Sequence, residues 1–299
     1  MNSNLHAAKK AKNDEFYTQL SDIENELRHY KAHFKGKTVF LNCDDPLESN
    51  FYVYFAQNFE HLGLKKLIST HYRDDQPTYK LEIIGDGNND GKINALDTIK
   101  TPLKQNGDFR SDECIAILEE ADIVVTNPPF SLFREYTEQL MNNNKKFLIV
   151  GPLNAVSYKE TFRYIKENRL WLGAAGRLKK FTLPGGEEKS VPSVWYTNLE
   201  HKKRTEDIIL YKTHSPDFNL KFDEYDAIDI ATNEKRKTEY IPVDYYGKMG
   251  VPVSFLEKYN PNQFELLGID RYMEDNPNYG KRFKINGKET FPRIIIKRK

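Results

Sequence analysis

The chain has 299 residues, of which 38% are hydrophobic and 30% are charged, and its formal net charge is +1. This length accommodates one large α/β domain, or a core domain with a smaller second one. The near-zero net charge excludes a strongly basic nucleic-acid-binding chain, although a local basic face can still bind phosphates.

The cysteine content and the N-terminal residues bear on the compartment. The two cysteines, Cys43 and Cys114, are too few for a disulfide framework. Residues 1–12 are polar and basic and contain no apolar segment of a secretory signal. No stretch approaches the roughly 20 apolar residues of a membrane span. We therefore expect a cytoplasmic protein with no membrane partner.

Helices and strands alternate along the first 150 residues. The spacing of apolar residues predicts an amphipathic helix over 14–34. Four apolar runs predict buried strands at 38–41, 66–70, 122–126 and 147–150, and helices are predicted at 50–62, 111–120 and 133–142. Residues 73–107 are polar and rich in turn formers, which indicates a hairpin-like insertion. The alternation favours an α/β fold with a parallel sheet and helices on both faces.

The pattern changes after residue 151. A helix is predicted over 158–168, and antiparallel strands are predicted at 170–172, 180–183 and 191–197, with a turn at Pro184-Gly185-Gly186. The remaining segments are irregular and rich in Tyr and Lys, with a last strand over 293–296. We place the domain boundary near residue 200, which gives a core over 1–200 and a second region over 201–299.

The tetrapeptide Asn127-Pro128-Pro129-Phe130 is the sharpest chemical signal. It follows the strongest predicted strand, at the edge where open α/β sheets bind ligands. The prolines fix φ and remove two N–H donors. The Asn127 amide oxygen and a main-chain carbonyl then form a pair of acceptors that suits a planar amino group, and Phe130 offers a face on which a base can stack. The alternative interpretation is a Pro-Pro turn at the end of a strand.

The tetrapeptide matches the Asp/Asn/Ser-Pro-Pro-Tyr/Phe signature of enzymes that methylate exocyclic amino groups. Further stretches extend the likeness in one order along nearly the whole chain: 14–19, 42–51, 107–111, 127–135 and 250–256. Together they resemble the EcoRI-type adenine-specific DNA methyltransferase family. The resemblance implies a Rossmann-like class I methyltransferase core, S-adenosylmethionine as cofactor and duplex DNA as substrate.

The resemblance also implies the reaction. An adenine is rotated out of the duplex and its N6 is methylated directly, without a covalent intermediate. Asn127 and the Pro128 carbonyl orient the amine, Pro129 stiffens the backbone and Phe130 holds the base, so these four residues form the expected catalytic centre. The region over 201–299 is expected to recognise the DNA site. A role in restriction-modification, a cognate endonuclease and a monomeric enzyme are further expectations.

The same resemblance implies which residues line the cofactor site: Phe16, Tyr17, Thr18, Asn42, Cys43, Asp44, Asp45, Asp108 and Phe109. Considered by themselves these residues have plainer interpretations. Asp44-Asp45-Pro46 suits the start of a helix, a Gly-Asp turn explains Asp108, and the segment around Thr18 suits a helix N-terminus.

A competing metal signal lies within the polar insertion. Oxygen-bearing side chains stand at the spacing of an EF-hand or dockerin calcium loop, at Asp86, Asn88, Asp90, Asn94 and Asp97. The preceding residues suit a strand rather than a helix, so a polar turn is the alternative. Methyl transfer requires no metal, and we assign no metal site.

Other functions remain possible at this stage. An RNA or protein-glutamine methyltransferase can use the same tetrapeptide, and a catalytically inactive DNA-binding module is a further alternative. Charge alone suggests DNA-contacting candidates at Lys235, Arg236, Lys237, Lys248 and Arg271.

Overall fold

A computed structural model describes residues 16–74, 78–178, 180–183, 186–216, 219–230 and 240–299. The chain divides into two compact units. The first contains Met1–Ala155 and Leu172–His201, and the second contains Val156–Trp171 and Lys202–Lys299. Among the described residues, no helix combines the length and the apolar character needed to cross a membrane.

The first unit contains six helices within its described residues: α1 Leu20–Leu27, α2 Lys31–Phe34, α3 Asn50–Gln57, α4 Phe59–Leu62, α5 Asp112–Glu120 and α6 Phe133–Asn142. Its strands are β1 Tyr17–Thr18, β2 Thr38–Leu41, β3 Lys66–Thr70, β4 Tyr79–Ile83, β5 Ile99–Pro102, β6 Ile123–Thr126, β7 Lys146–Pro152, β8 Trp171–Leu178, β9 Phe181–Thr182, β10 Glu188–Lys189 and β11 Ser193–Thr197.

Eight strands form the central sheet, in the order β5-β4-β3-β2-β6-β7-β11-β8. The four middle strands β3, β2, β6 and β7 are parallel, whereas β4 is antiparallel to β3 and β11 is antiparallel to β7. The predicted α/β class and its parallel strands are therefore confirmed. The polar segment after Arg73 adds β4 and β5 to the sheet edge as an antiparallel pair.

The core of the first unit lies on the middle strands. Val39, Leu41 and Val125 form one hydrophobic cluster with side chains from α1 to α4. The intervening residues Phe40 and Val124 are also fully buried, and α5 and α6 contact β2 and β7. Because every residue of β2 and β6 is buried, the sheet is covered on both faces, as in other parallel sheets.

The predicted helix over 14–34 is wrong in its extent. Asp14 and Glu15 lie outside the described residues, and the next segment forms β1, which pairs with β9. Helix α1 begins only at Leu20 and ends at Leu27. Residues 28–30 form a turn, and α2 follows it. Local apolar spacing favours the helix, but pairing with a strand about 160 residues away decides the conformation of residues 17–18.

A buried carboxylate fixes α1 against the sheet. The fully buried Glu26 accepts hydrogen bonds from Tyr30 Oη at 2.7 Å and from the N–H groups of Ala174 and Ala175 at 2.6 Å. Burial raises the pKa of Glu26, although these hydrogen bonds oppose the shift. Glu26 thus links α1 to β8 and holds in place the helix that follows β1.

The second unit carries helix α7 Lys159–Lys166 and six strands: β12 Ile228–Asp229, β13 Met249–Pro252, β14 Phe264–Ile269, β15 Lys284–Ile285, β16 Lys288–Glu289 and β17 Arg293–Arg298. Four of them form a sheet in the order β12-β13-β17-β14, and β15 pairs with β16 as a separate hairpin. Helix α7 packs against β14. The predicted last strand is confirmed, while β13 and β14 were not predicted.

Candidate active site

Two loops follow neighbouring strands at the centre of the sheet. Asn42 comes directly after β2 and Asn127 directly after β6. The chain leaves β2 towards β3 on one side and leaves β6 towards β7 on the other, so the two loops diverge at a topological switch point. Thr126 Oγ1 donates a hydrogen bond to the Asn42 carbonyl. Open α/β sheets bind their ligands in the crevice at such a point.

Asn127 is held in one orientation by its side-chain nitrogen. The residue is 5% exposed, and its Nδ2 donates a hydrogen bond to the Phe16 carbonyl. The opposite amide orientation would place two oxygens against each other. Among the described residues no donor reaches Asn127 Oδ1, although this oxygen is buried. A buried carbonyl oxygen without a donor costs about 1–3 kcal/mol, so a ligand N–H would be stabilised there.

The two prolines lead from β6 into α6. Pro129 has φ −54° and precedes a 3₁₀ turn at Phe130–Leu132, and Leu132 N–H donates to the Pro129 carbonyl at 2.9 Å. A proline has no N–H and a restricted φ. The path of the chain beside Asn127 is therefore rigid, and Phe130 follows at a defined position.

Three phenylalanine rings meet next to Asn127. The ring centroid of Phe130 lies 5.7 Å from that of Phe16 and 6.1 Å from that of Phe181, and the Phe16 and Phe181 centroids are 5.8 Å apart. Phe16 and Phe181 are buried, whereas Phe130 is partly exposed. Phe130 is thus the ring of the three that stays accessible from outside, and the other two rings pack against it.

The loop after β2 is tied to α6. Tyr136 Oη donates a hydrogen bond to Asn42 Oδ1. Cys43 has φ +83°, in the left-handed region that few residues other than glycine adopt. Burial and the neighbouring Asp44 raise the pKa of the Cys43 thiol, which keeps it protonated at neutral pH. A protonated thiol is a poor nucleophile, so Cys43 is suited to line a site rather than to form a covalent bond.

The two aspartates of this loop differ in their partners. Asp45 accepts hydrogen bonds from Arg73 Nη2 at 2.7 Å and from Tyr79 Oη and Leu47 N–H at 3.1 Å. Burial opposes its ionisation, but these hydrogen bonds lower its pKa. Asp44 accepts from the Ser49 hydroxyl at 3.2 Å. The Asp45 carboxylate therefore fixes the loop to Arg73 and Tyr79, and Asp44 contacts Ser49 at the start of α3.

Asp108 and Phe109 lie beside the same loop. The Phe109 ring stands edge-on to the Tyr136 ring, with centroids 5.1 Å apart, and Tyr136 is bonded to Asn42. Arg110 donates to Asp108 Oδ1 from Nε at 2.9 Å and to Asp108 Oδ2 from Nη2 at 2.7 Å. Burial raises the pKa of Asp108, but the bonds from Arg110 outweigh it and lower the pKa overall. Tyr136 thus connects two segments of the predicted cofactor site, the loop after β2 and the pair Asp108-Phe109.

Gly107 sets the path into Asp108, and its substitution is expected to disturb this part of the site. Gly107 has φ +72°, and a Cβ there would lie 2.0 Å from the His71 carbonyl oxygen. Gly91 has φ +84° with open space around it. Gly91→Ala is expected to cost about 1 kcal/mol through backbone strain, and Gly107→Ala roughly 1–3 kcal/mol more through the backbone clash.

Urea unfolding of both glycine variants measures this difference, because the two substitutions share the strain and differ only in the space around Cβ. Equal losses of unfolding free energy would show that the contact with His71 is unimportant.

The calcium-loop candidates are engaged with backbone N–H groups. Asp86 accepts from Asp90 and Gly91 N–H, and Asp97 accepts from Gly87 and Asn94 N–H, at 2.9–3.1 Å. Asn88, Asp90 and Asn94 side chains also accept from backbone N–H groups. The described part of the chain contains no group of three or more His, Cys, Asp or Glu residues that could hold a metal ion. We interpret the loop as a hydrogen-bonded turn.

Two of the five predicted basic candidates, Lys248 and Arg271, lie among the described residues. Lys235, Arg236 and Lys237 lie outside the described residues. Lys248 Nζ donates to Tyr225 Oη at 3.0 Å and pairs with Asp275. Arg271 lies on the 3₁₀ turn Asp270–Tyr272.

Comparison with known sequences decides the family. The family model described as adenine-specific methyltransferase EcoRI matches residues 4–299. The chain belongs to this family. Membership confirms both the resemblance found in the sequence and the enzyme class predicted from it, an adenine-specific DNA methyltransferase. No solved structure gives a significant match to the chain.

Three curated relatives of this family member are similar over almost their full length. The Type II methyltransferase M.EcoRI of Escherichia coli is 44% identical over 326 residues, covering 100% of this chain and 97% of the relative. M.MgeORF184P of Mycoplasma genitalium is 37% identical, covering 98% of each chain. M.MpnI of Mycoplasma pneumoniae is 35% identical, covering 99% of this chain and 98% of the relative.

The structure brings together residues that the sequence singled out and adds others. Phe16 and Asn127 meet directly, and Asn42 and Phe109 meet through a shared partner, Tyr136. Three residues of the site, Tyr136, Phe181 and Arg110, were not predicted from the sequence. Tyr136 lies on the buried face of α6, a signal that helical spacing could have provided. Phe181 could not be found in this way, because only the pairing of β1 with β9 brings it to the site.

Proposed function

We propose that this enzyme transfers a methyl group from S-adenosylmethionine to N6 of an adenine turned out of duplex DNA. The observation that carries the proposal is the buried Asn127 Oδ1, which no donor reaches among the described residues, beside the partly exposed ring of Phe130. An adenine amino group offers the missing N–H, and its ring matches the phenyl face. A base inside a duplex cannot reach a buried oxygen, so the adenine must leave the stack.

The strand order supports a Rossmann-like class I methyltransferase core over the first unit. The parallel strands β3, β2, β6 and β7 place the loops at 42–45 and 127–130 side by side, and an antiparallel strand, β11, lies between β7 and β8. The cofactor side of the crevice is then formed by Asn42 to Asp45 and by Asp108 and Phe109, and the base side by Asn127 to Phe130.

The side chains present fit S-adenosylmethionine in their chemistry. Among the described donors, only Arg110 Nη2 reaches Asp108 Oδ2, and a carboxylate oxygen can accept a second bond. This leaves a position for the amino group of an adenine ring, with Phe109 beside it. Thr18 Oγ1 is buried without a partner in the described part of the chain. This supports our assignment of Phe16, Tyr17 and Thr18 to the residues that would enclose the cofactor.

Bound S-adenosylmethionine would supply an electrophilic methyl group on its sulfonium sulfur. Asn127 Oδ1 and the Pro128 carbonyl accept the two N6 hydrogens, which holds the nitrogen lone pair out of the ring plane. Asn127 Oδ1 and the Pro128 carbonyl would thereby direct the lone pair at that methyl group, and the N6 proton that is displaced would pass to water. The protein contributes position and fixed dipoles, which are effective without a covalent intermediate.

The biological setting is a further part of the proposal. The relatives are named Type II methyltransferases, so we propose that this cytoplasmic enzyme protects DNA at one sequence within a restriction-modification system. It would act as a monomer, and an endonuclease that cuts the same sequence would be its partner. We assign recognition of the DNA to the region over 201–299.

The decisive test is transfer of tritium from labelled S-adenosylmethionine to unmodified duplex DNA, with nucleoside analysis of the product. Label in N6-methyladenine supports the substrate, the cofactor and the reaction together. Label in RNA or protein instead of DNA would move the assignment to those acceptors. Binding of DNA without any transfer would indicate a DNA-binding module that lacks catalysis.

The ion pair of Arg110 with Asp108 predicts how cofactor binding depends on pH. Asp108 binds the cofactor as a carboxylate, and its lowered pKa keeps it ionised well into the acid range. Affinity should therefore stay constant as the pH falls from 8 towards 5 and decline only as Asp108 protonates. In Arg110→Ala the guanidinium no longer offsets the burial of Asp108, and among the described residues only the backbone N–H of residue 110 still donates to it. The pKa of Asp108 therefore rises, and the decline begins at higher pH.

Calorimetric titration with S-adenosylmethionine at several pH values measures this shift. Arg134→Ala is the control, because it removes an equal charge from an exposed position on α6. The same pH profile in Arg110→Ala and the wild type would show that Arg110 does not position Asp108.

A further inference from the structure

A short basic hairpin stands out in the second unit. Strands β15 and β16 pair through a two-residue turn, in which Asn286 has φ 51° and Gly287 has φ 75°. Positive φ at both turn residues is the geometry that matches the twist of a two-stranded ribbon. The residues of β15 and β16 are exposed except for the half-buried Ile285.

The hairpin is held rigidly at both ends. At the tip, the two carboxylate oxygens of Asp223 accept hydrogen bonds from the N–H groups of Asn286 and Gly287, each at 2.8 Å. At the base, the buried Phe283 ring stacks on the Tyr225 ring at 4.3 Å and lies 4.9 Å from the Phe222 ring. A two-stranded hairpin is marginally stable alone, so these contacts fix its position.

The charge of this element is strongly positive. Between residues 276 and 289 the chain carries four cations and one carboxylate. Lys281, Arg282 and Lys284 line a groove with Glu224 as its acidic member. Arg282 lies 3.7 Å from the buried Asp270. In the described part of the chain, Lys284 and Lys288 form no ion pair with a carboxylate, and both are exposed.

The register places the two lysines on opposite faces of the ribbon. Lys284 is opposite Glu289, and Lys288 is opposite Ile285, and neighbouring residues of a strand point to opposite faces. A DNA groove is bordered by two phosphate backbones, and the major groove admits a two-stranded ribbon. The face of Lys284 also carries Glu289, and the face of Lys288 carries Ile285. A ribbon with one exposed lysine on each face is complementary to two flanking phosphate backbones.

We propose that the β15–β16 hairpin enters a groove of duplex DNA and that Lys284 and Lys288 contact the phosphates on its two sides. This inference rests on the proposed function, since it assumes that duplex DNA is the substrate. It assigns a positioning role to the hairpin, because phosphate contacts fix the register of a protein on DNA without reading its sequence.

The experiment measures binding of the full chain to a labelled duplex of random sequence, by fluorescence anisotropy over a series of salt concentrations. Each phosphate contact contributes about 0.9 to the slope of log affinity against log salt. Lys284→Ala/Lys288→Ala should therefore lower the slope by about 2 and weaken binding roughly tenfold or more at moderate salt. Binding of S-adenosylmethionine should be unchanged.

The matched control is Lys35→Ala/Lys65→Ala. Both lysines are exposed. They precede β2 and β3 at the N-terminal ends of the parallel strands, whereas Asn127 follows the C-terminal end of β6. The control removes the same charge and should retain the wild-type slope. Equal slopes and affinities for the hairpin variant, the control and the wild type would overturn the hairpin assignment while leaving the proposed function intact. A wild-type chain that neither binds nor methylates duplex DNA would overturn both.

Discussion

Asn127→Ala is expected to lower methyl transfer to duplex DNA by about 10²–10³-fold, while the affinity for S-adenosylmethionine changes little. The size of the effect follows from the removal of one preorganised hydrogen-bonding group from a buried site. Asn127 Oδ1 is that group: it is buried, it has no donor among the described residues, and its position is fixed through Nδ2.

The separation of transfer from cofactor binding follows from the layout of the site. Asn127 lies after β6, whereas the residues proposed for the cofactor lie after β2 and at Asp108 and Phe109. Truncation of Asn127 therefore removes an acceptor from the base side only. Because this interaction is strongest when the amine is aligned for attack, kcat should fall more than the affinity for DNA.

Single-turnover transfer to saturating DNA, together with calorimetric titration of the cofactor, tests the prediction. Asn143→Ala is the matched control, because Asn143 is an exposed asparagine after α6 whose side chain donates to the nearby Gln139 carbonyl at 2.9 Å. Its activity should equal that of the wild type. An Asn127→Ala enzyme that keeps its transfer rate within a few-fold would contradict the catalytic role of the residue.

Asn127→Asp gives an independent measure of the Phe16 contact. The aspartate retains an acceptor oxygen but replaces the Nδ2 donor with a second oxygen, which would face the Phe16 carbonyl. We expect this variant to be impaired in transfer, because the side chain must rotate or protonate to avoid the repulsion. Activity that recovers as the pH is lowered would identify protonation as the remedy.

The central fold could be predicted because its signals are local. Strands β2 and β6 contain apolar runs, β3 contains the apolar pair Leu67-Ile68, and the helix over 133–142 was predicted with its observed bounds. Errors arose where a distant partner decides the conformation. Residues 17–18 suit a helix by spacing, yet they pair with β9. The helix over 50–62 is divided at Asn58, whose side chain caps the Tyr54 carbonyl.

The candidate site also has a part that the sequence indicates and a part that only the structure shows. The tetrapeptide at 127–130 is visible because its chemistry is contiguous in sequence. The orientation of the Asn127 amide depends on the Phe16 carbonyl, 111 positions earlier, and no pattern in the sequence indicates that contact. Arg110 follows Asp108 and Phe109 in the sequence, but only the geometry shows its guanidinium paired with the carboxylate that the resemblance assigned to the cofactor.

The second unit was the least predictable part, and the reason is physical. Its strand β12 is two residues long, and its sheet combines one parallel with two antiparallel pairings of segments far apart in sequence. Short strands of this kind show little alternation of apolar and polar residues. Their stability depends on tertiary contacts, among which one buried ion pair stands out.

Arg293→Ala is expected to lower the free energy of unfolding by about 3–5 kcal/mol, because it leaves a buried charge uncompensated. Arg293 on β17 donates to both oxygens of Asp229 on β12, from Nε at 2.8 Å and from Nη2 at 3.2 Å. Asp229 is fully buried and Arg293 is 7% exposed in its side chain. The pair thus connects the two strands on either side of β13, inside the sheet of the second unit.

Urea unfolding followed by circular dichroism measures the loss, and two further variants identify its cause. Lys221→Ala breaks an exposed ion pair of the same unit, with Asp226 at 3.6 Å, and should change stability by less than about 0.5 kcal/mol. Asp229→Leu/Arg293→Met removes both charges and should recover most of the lost stability, since apolar replacement of a buried pair is often neutral. A loss of unfolding free energy in Arg293→Ala no larger than that in Lys221→Ala would show that the buried pair does not stabilise the second unit. A double variant as unstable as Arg293→Ala would attribute the loss to packing rather than to charge.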